Sequence, residues 1–204
     1  MGDAVAFLYG IDRTIFLVVN GTLQNPIFDH LMPALSNKWL GFLVVVAVVP
    51  GLLMRYGRRV WPVIALAVLA VALSDLGSGL LKHAVQRVRP CHVIAEVHLL
   101  AGCTRSFAMP SNHASNMFAL AGIVGSLLPG CRWVLLPLAG GVAYSRVYLG
   151  VHYPSDVLIG AICGVALGCG LALAACRVAP SKWAFAAAPE PKTPVDQSDR
   201  DQVR

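Results

Sequence analysis

Charge is scarce in this chain of 204 residues, and acidic charge is the scarcest kind. Charged residues make up 13% of the sequence, and Asp and Glu together number 10. No group of these carboxylates is suited to holding a hard cation such as Mg²⁺. The 16 basic residues stand singly between apolar runs, which argues against nucleic-acid binding. The N-terminus also lacks the pattern of a cleavable signal peptide, so we expect membrane entry through a retained segment.

Apolar residues dominate instead. They form 57% of the chain, and the mean hydropathy of +0.68 lies far above that of soluble globular domains. The composition therefore predicts an integral membrane protein, whose 204 residues could hold five or six spans of about 20 residues each. We expect one membrane domain over residues 1–179 and a disordered cytoplasmic tail over residues 180–204. Membrane lipids are expected partners, and the oligomeric state is left open.

Five apolar stretches are predicted to span the membrane. They are residues 39–54, 60–81, 114–129, 133–148 and 155–176. The segment before them, residues 1–38, is apolar but interrupted by Asp12 and Arg13, so it is either a sixth span or an interfacial helix. We favour a helix in the outer headgroup layer, over the mouth of the site.

The distribution of basic residues predicts the orientation of these spans. One side carries nine of them, while three of those on the other side belong to the motifs described below. Because cytoplasmic loops are enriched in Lys and Arg, we expect the motifs to face outward. The expected location is a bacterial inner (cytoplasmic) membrane, with the site facing the periplasm or the exterior. The nine cytoplasmic residues would be Arg55, Arg58, Arg59, Arg132, Arg177, Lys182, Lys192, Arg200 and Arg204.

Small residues and cysteines give two further expectations. Gly160, Gly164 and Gly168 recur at four-residue spacing, which lets a neighbouring helix approach closely, and packing within the bundle is favoured over a homodimer seam. Cys91 and Cys103 lie in the same outward loop, where they form either a bracing disulfide or two free thiols.

The first motif carries two cations at the end of a helix. Lys82 and Arg89 are separated by six residues, and Pro90 follows directly. An Arg fork can grip two phosphate oxygens, and Lys supplies a point charge. Basic residues at the end of a span are more often interfacial anchors, so this pair gains weight only from the other two motifs.

The second motif precedes a span. Ser111 takes the N-cap position after Pro110, which leaves free backbone N–H groups that can bind an anion. His113 stands beside them, where an imidazole could protonate a leaving oxygen.

The third motif runs from Ser145 to Asp156. Arg146 follows Ser145, and Asp156 lies one turn beyond His152. A carboxylate at that spacing can accept from one ring nitrogen and aim the other at phosphorus. Histidine can also form a covalent phosphoryl intermediate. Three such motifs on one membrane face indicate phosphate-ester chemistry.

These three segments resemble the signature motifs of the type 2 phosphatidic acid phosphatase (PAP2) superfamily, K-x6-R-P, P-S-x-H and S-R-x5-H-x3-D. The resemblance implies an all-α fold, a polytopic, PAP2/haloperoxidase-like membrane helical bundle, and a site that works without a metal or other cofactor. It implies that His152 is the nucleophile, that His113 is the acid and then the base, and that Asp156 orients His152. It also implies a set of phosphate-binding residues: Lys82, Arg89, Ser111, Asn112 and Arg146.

One position departs from the family pattern. Asn112 stands where Gly is frequent, and we interpret it as a tolerated variant whose backbone amide can still face phosphate. Asp75 lies seven residues before Lys82 on roughly the same helix face. An unpaired carboxylate in a membrane is costly, so we expect Asp75 to pair with a polar neighbour and to take no direct part in catalysis.

The expected substrate is a lipid phosphate at the membrane–water interface. An undecaprenyl-diphosphate phosphatase is the first prediction, and a lipid A or phospholipid (phosphatidylglycerol-phosphate, phosphatidate) phosphatase is the second. A small transporter is the alternative outside the enzymes, but the inverted repeat typical of transporters was not found. Haloperoxidases that share these motifs are soluble, so the high mean hydropathy of this chain argues against that function.

Overall fold

The computed structural model describes residues 2–183, and regular secondary structure within that range is helical. The all-α prediction is confirmed. Short irregular helices, Val18–Thr22, Gly57–Val60 and Pro129–Cys131, join some of the longer elements. The α-helices are α1 (Gly2–Leu17), α2 (Pro26–Leu35), α3 (Lys38–Tyr56), α4 (Trp61–Val85), α5 (Pro90–Val93), α6 (Asn112–Leu127), α7 (Arg132–Tyr148), α8 (Pro154–Val178) and α9 (Pro180–Trp183).

The five predicted spans correspond to α3, α4, α6, α7 and α8, with bounds that agree to within four residues. Local sequence explains several helix ends. The Asn37 side chain caps α3 by accepting from the Trp39 N–H at 2.9 Å, and Pro154 occupies the first turn of α8. Gly57 ends α3 with a φ of 61°, a conformation that glycine adopts without steric cost. The largest difference is at α4, which continues past residue 81 and includes Lys82.

Helix α6 lies at the centre of the bundle and packs against α4, α7 and α8. The largest apolar cluster joins these helices around Val63, Ile123 and Leu127, which are at most 2% exposed. Large apolar side chains on the outer faces of α4 and α8 are exposed instead, among them Leu76, Leu80, Leu158, Ile162 and Leu173. This arrangement suits helices that are surrounded by lipid.

The glycine ridge of α8 packs against α6. A Cβ atom at Gly160 would stand 2.7 Å from the Ser111 carbonyl oxygen. A Cβ atom at Gly164 or Gly168 would overlap the carbonyl oxygens of Ser115 and Ala119. The two backbones meet only because side chains are absent there, so the expectation of packing within the bundle is confirmed.

Two stretches of the described chain are long and apolar enough to cross a membrane, Val48–Val93 and Pro154–Val178. They indicate a membrane protein, and the count of five or six spans stays a prediction. The N-terminal segment packs on the motif end of the bundle: α1 contacts α8, and α2 contacts α7. The Asn20 side chain joins it to the loop after α5 by donating to the His98 carbonyl oxygen at 2.9 Å.

The structure adds detail to two other expectations. Cys91 and Cys103 form a disulfide, which closes the loop between the first two motifs. The segment predicted as a tail begins with a helix, α9, because the indole N–H of Trp183 donates to the Ala175 carbonyl oxygen at 2.9 Å and its ring packs on the apolar core. The rest of the predicted tail, residues 184–204, lies outside the described residues.

Candidate active site

The three motifs meet at one end of the bundle because the helices that carry them alternate in direction. Helices α4 and α7 end there, with Lys82 and Arg146 in their last turns. Helices α6 and α8 begin there, with Ser111 at the N-cap of α6 and Asp156 in the first turn of α8. The fold therefore brings residues that are more than 70 positions apart in the sequence to the same end of the bundle.

His152 lies in the turn before α8 and is 2% exposed. Its Nε2 atom is 3.1 Å from Nη1 of Arg89, and its Nδ1 atom is 3.4 Å from Oδ2 of Asp156. A guanidinium can only donate, so Nε2 is the acceptor and the ring proton resides on Nδ1, facing the carboxylate. In this tautomer the lone pair of Nε2 points at Arg89, and it can attack an electrophile that displaces this contact.

Burial controls the charge of this imidazole. Loss of hydration lowers the pKa of His152 to about 3, and the positive charges of Arg89 and Arg146 act in the same direction, while Asp156 opposes them. His152 is therefore neutral at physiological pH, which is the form that a nucleophile requires.

Lys82 and Arg89 hold the loop that precedes α6. The Lys82 ammonium donates to the carbonyl oxygens of Phe107 at 2.8 Å and Pro110 at 2.7 Å. Arg89 donates through Nε to the Ser106 carbonyl oxygen at 2.7 Å and through Nη1 to the Val151 carbonyl oxygen at 3.1 Å. Both cations are less than 10% exposed, so they fix this loop against His152 and place positive charge beside it.

Arg146 and His113 belong to the same cluster of motif residues as Lys82, Arg89 and His152, and both contact the N-terminal segment. Arg146 donates to the Ser36 hydroxyl at the end of α2, and the His113 ring hydrogen-bonds the backbone of the same residue. His113 and His152 both lie within electrostatic range of Arg89 and Arg146, which places the two imidazoles around the same pair of cations. Ser36 therefore contacts two motif residues, and the position of the N-terminal segment over the mouth of the site stays a prediction.

Unpartnered polar atoms concentrate at this cluster. Native interiors satisfy nearly all buried polar groups, so exceptions mark places where a ligand can bind. Among the described residues, every buried side-chain nitrogen or oxygen without a hydrogen-bond partner lies in the second or third motif or within one helical turn of it. These atoms are Ser111 Oγ, Asn112 Oδ1, Asn116 Oδ1, Arg146 Nε and His152 Nδ1, of which the last faces Oδ2 of Asp156 at 3.4 Å, beyond the distance of a close hydrogen bond.

Asn112 turns its side chain away from the cations. Its amide nitrogen donates to Oδ1 of Asp75 at 2.8 Å, and Asn116 approaches the same oxygen at 3.3 Å. The expectation that Asp75 pairs with a polar neighbour is confirmed. The contact also places an exposed carboxylate within electrostatic range of His113.

Two functional candidates were missed in the sequence. Arg87 donates from Nη1 to Oδ1 of Asp156 at 2.8 Å and from Nη2 to Oδ2 of Asp12 at 2.5 Å. In the sequence, Asp12 is visible only as a charge that interrupts an apolar segment. A charge within an apolar helix needs a partner, and this was the signal that could have indicated the pair. In the structure Asp12 is buried, at 7% exposure.

Potential metal ligands come together elsewhere. Within the described residues, one group of three lies close enough to share an ion, namely Cys91, His92 and Cys103. Both sulfur atoms of this group are joined in the disulfide, and neither His113 nor His152 belongs to it. The imidazoles of the cluster are instead surrounded by cations and one carboxylate, an arrangement that suits an anionic ligand.

Comparison with known proteins shows that a protein family shares the sequence region that carries these motifs. The model of the PAP2 superfamily matches residues 63–178, which include all three motifs. The chain is 31% identical to a lipid A 4'-phosphatase from Bacteroides thetaiotaomicron over 78% of this chain and 75% of that protein. It is also 31% identical to an undecaprenyl-diphosphatase from Sulfolobus acidocaldarius, over 76% of this chain and 74% of that protein.

A solved structure shares the fold. The transmembrane PAP2-type phosphatidylglycerolphosphate phosphatase from Bacillus subtilis superposes with a TM-score of 0.68 at 23% identity. The match covers 84% of this chain and 87% of that one. At this level of identity the likeness concerns the arrangement of helices.

Proposed function

This chain belongs to the PAP2 superfamily and is a membrane lipid phosphatase, and we propose that it works through a phosphohistidine at His152. The observation that carries this proposal is the polarity of the His152 ring. Arg89 donates to Nε2 while Nδ1 faces Asp156, so the nucleophilic nitrogen lies beside a cation that can bind the phosphoryl oxygens while Nε2 takes up the phosphoryl group.

In the first step, Nε2 of His152 attacks phosphorus and the bond from phosphorus to the leaving oxygen breaks. His113 enters this step as an imidazolium and donates its proton to that oxygen, so the leaving group departs as a neutral hydroxyl and His113 becomes neutral. The imidazolium that forms on His152 keeps its Nδ1 proton and is stabilised by Asp156. Arg89, Arg146, Lys82 and the N-terminus of α6 at Ser111 and Asn112 balance the charge on the phosphoryl oxygens.

In the second step, His113 accepts a proton from water and the water oxygen attacks phosphorus. The bond from phosphorus to Nε2 then breaks, which releases inorganic phosphate and restores neutral His152. Side-chain cations supply the electrostatic stabilisation in both steps, so we expect turnover to persist in EDTA. We further propose that these steps take place at the outer face of a bacterial inner membrane, as the distribution of basic residues predicts.

Asp75 discriminates between leaving groups in this proposal. It lies near His113, the group assigned to the leaving oxygen, and toward the membrane from Lys82. A leaving group that carries its own phosphate would meet this negative charge, whereas the hydroxyl of a sugar would accept or donate a hydrogen bond there. Asp75 therefore favours a phosphate monoester on a sugar-bearing lipid, such as the lipid A of the Bacteroides relative.

Undecaprenyl diphosphate is the second candidate. Three cations less than 10% exposed, Lys82, Arg89 and Arg146, suit a substrate with more than one phosphate. The relative from Sulfolobus acidocaldarius, an undecaprenyl-diphosphatase, supports it as well.

A substrate panel tests both candidates. Purified protein in detergent with EDTA is assayed for phosphate release from lipid A, phosphatidate, phosphatidylglycerol phosphate and undecaprenyl diphosphate. We expect the highest kcat/KM for lipid A, and we expect Asp75→Asn to shift the ratio toward undecaprenyl diphosphate. Highest activity on the diphosphate, with no change of ratio in Asp75→Asn, would contradict the assignment of Asp75. Loss of all activity in EDTA would contradict the metal-independent mechanism.

A further inference from the structure

Arg87 joins two carboxylates that belong to distant parts of the chain. It stands inside the K-x6-R-P segment at a position that the motif leaves open, between Lys82 and Arg89. Its two terminal nitrogens contact Asp156 and Asp12, and the three side chains are 16%, 0% and 9% exposed, respectively. Ion pairs with this degree of burial are screened far less by solvent than surface pairs are.

The guanidinium is held on all sides. Its Cζ atom lies 4.2 Å from the centre of the Tyr153 ring, and the Arg87 carbonyl oxygen accepts from the Ala108 N–H at 2.7 Å. Asp12 is fixed in turn by Ser155, whose backbone N–H donates to Oδ1 at 2.8 Å and whose hydroxyl donates to Oδ2 at 2.6 Å. Asp12 thereby connects α1 to the first turn of α8.

The network ends on the carboxylate that faces the nucleophile. Oδ1 of Asp156 accepts from Arg87, while Oδ2 accepts from the Tyr153 N–H at 2.8 Å and faces Nδ1 of His152. A fully buried carboxylate needs a compensating positive charge, which Arg87 supplies. Without Arg87, the Asp156 carboxylate would lose the contact that fixes its orientation toward Nδ1, and the His152 ring would lose the group that sets its tautomer.

We propose that Arg87 and Asp12 are positioning residues for catalysis: Arg87 compensates the charge of Asp156 and orients it toward His152, and Asp12 holds Arg87 in that geometry. The inference rests on the proposed role of His152. It assigns a function to the N-terminal helix, which reaches the nucleophile through Asp12, Arg87 and Asp156.

If the ion pair of Asp12 and Arg87 served only to hold α1 on the bundle, substitutions of these residues would change the kinetics in a different way from substitutions of positioning residues. Positioning affects the step in which Nε2 attacks phosphorus, so it changes kcat and leaves phosphate binding intact. A loosened bundle would also disturb Arg89 and Arg146 and would weaken the binding of substrate and phosphate. The affinity for inorganic phosphate, measured as competitive inhibition, therefore separates the two roles.

The test uses the full-length protein in detergent and the best substrate of the panel. We expect Arg87→Gln to lower kcat by about 100-fold while KM and the inhibition constant of phosphate change by less than about threefold. Arg87→Lys should recover part of the loss, because an ammonium can pair with Asp156 but cannot bridge both carboxylates. Asp12→Asn should lower kcat less than Arg87→Gln, and the double variant should cost no more than Arg87→Gln alone.

Arg13→Gln is the matched control, since it removes an exposed charge next to Asp12 on the same helix and should leave kcat unchanged. A normal kcat in Arg87→Gln would overturn the inference, and so would equal losses of kcat and phosphate affinity. If Arg87→Gln fails to fold, Asp12→Asn carries the same test. His152→Ala is assayed in parallel: if it stays active, the proposed function fails, whereas an inactive His152→Ala beside a normal Arg87→Gln refutes the positioning role alone.

Discussion

The contact between α6 and α8 uses opposite chemistry at its two ends. Along the helices, glycines remove side chains so that the backbones meet, and Gly164 leaves no room even for a Cβ atom. At the site end, the same helices carry Ser111 and Asp156 among buried charged groups. A hydrogen bond from the Ser111 N–H to the Asp156 carbonyl oxygen, at 3.0 Å, links the two regions. The contact of Gly160, Gly164 and Gly168 with α6, here called the apolar seam, therefore sets the distance between the polar groups at the site end.

Arg89→Lys tests the polar end and should have the largest effect in this comparison. The fork of Arg89 contacts Ser106, Val151 and His152 together, and a point charge cannot replace those directions. We expect kcat/KM to fall by about 10²-fold or more, as when a transition-state donor is removed. Arg105→Lys, at an exposed position of the same loop, is the control. A rate close to wild type would show that Arg89 is only an anchor.

Gly164→Ala tests the apolar seam. The added methyl group would overlap the Ser115 carbonyl oxygen, so α8 must move away from α6. We expect a loss of about 1–3 kcal/mol in the free energy of unfolding, together with a lower kcat. Gly170→Ala is a matched control in the same helix, because a Cβ atom there meets open space. Equal thermal unfolding midpoints for the two variants would break the link between the seam and the site.

The pH dependence of stability gives the smallest effect. The pKa of His152 is lowered to about 3 by burial, whereas an unfolded chain takes up a proton near pH 6.5. The contribution of His152 to the free energy of unfolding is therefore fully present above pH 6.5. It decreases below that pH, by up to about 1.4 kcal/mol per pH unit. The unfolding midpoint of the wild type should fall between pH 7 and pH 5 more steeply than that of His152→Gln. Equal slopes would show that His152 is not held neutral by the fold.

The sequence predicted those parts of the molecule that depend on local patterns. Apolar runs and their flanking residues located α3, α4, α6, α7 and α8, and the three motifs located the groups that meet at the site. The glycine spacing of α8 indicated the close packing that the structure shows.

Contacts between distant segments could not be predicted in the same way. The link from Asp12 to Arg87 connects positions 75 residues apart, and neither residue is one that a motif specifies. Ser36 reaches Arg146 across 110 residues. Such pairs depend on how α1 and α2 fold back over the bundle, which hydrophobic periodicity does not specify.

The covalent intermediate is the most direct test of the central claim. A single turnover with a lipid substrate radiolabelled in its phosphate is quenched in alkali, where phosphohistidine survives, and the labelled peptide is identified by mass spectrometry. We predict label on Nε2 of His152 in the wild type and none in His152→Ala, with turnover lost in that variant. Label on another residue, or turnover by His152→Ala at the wild-type rate, would contradict the account.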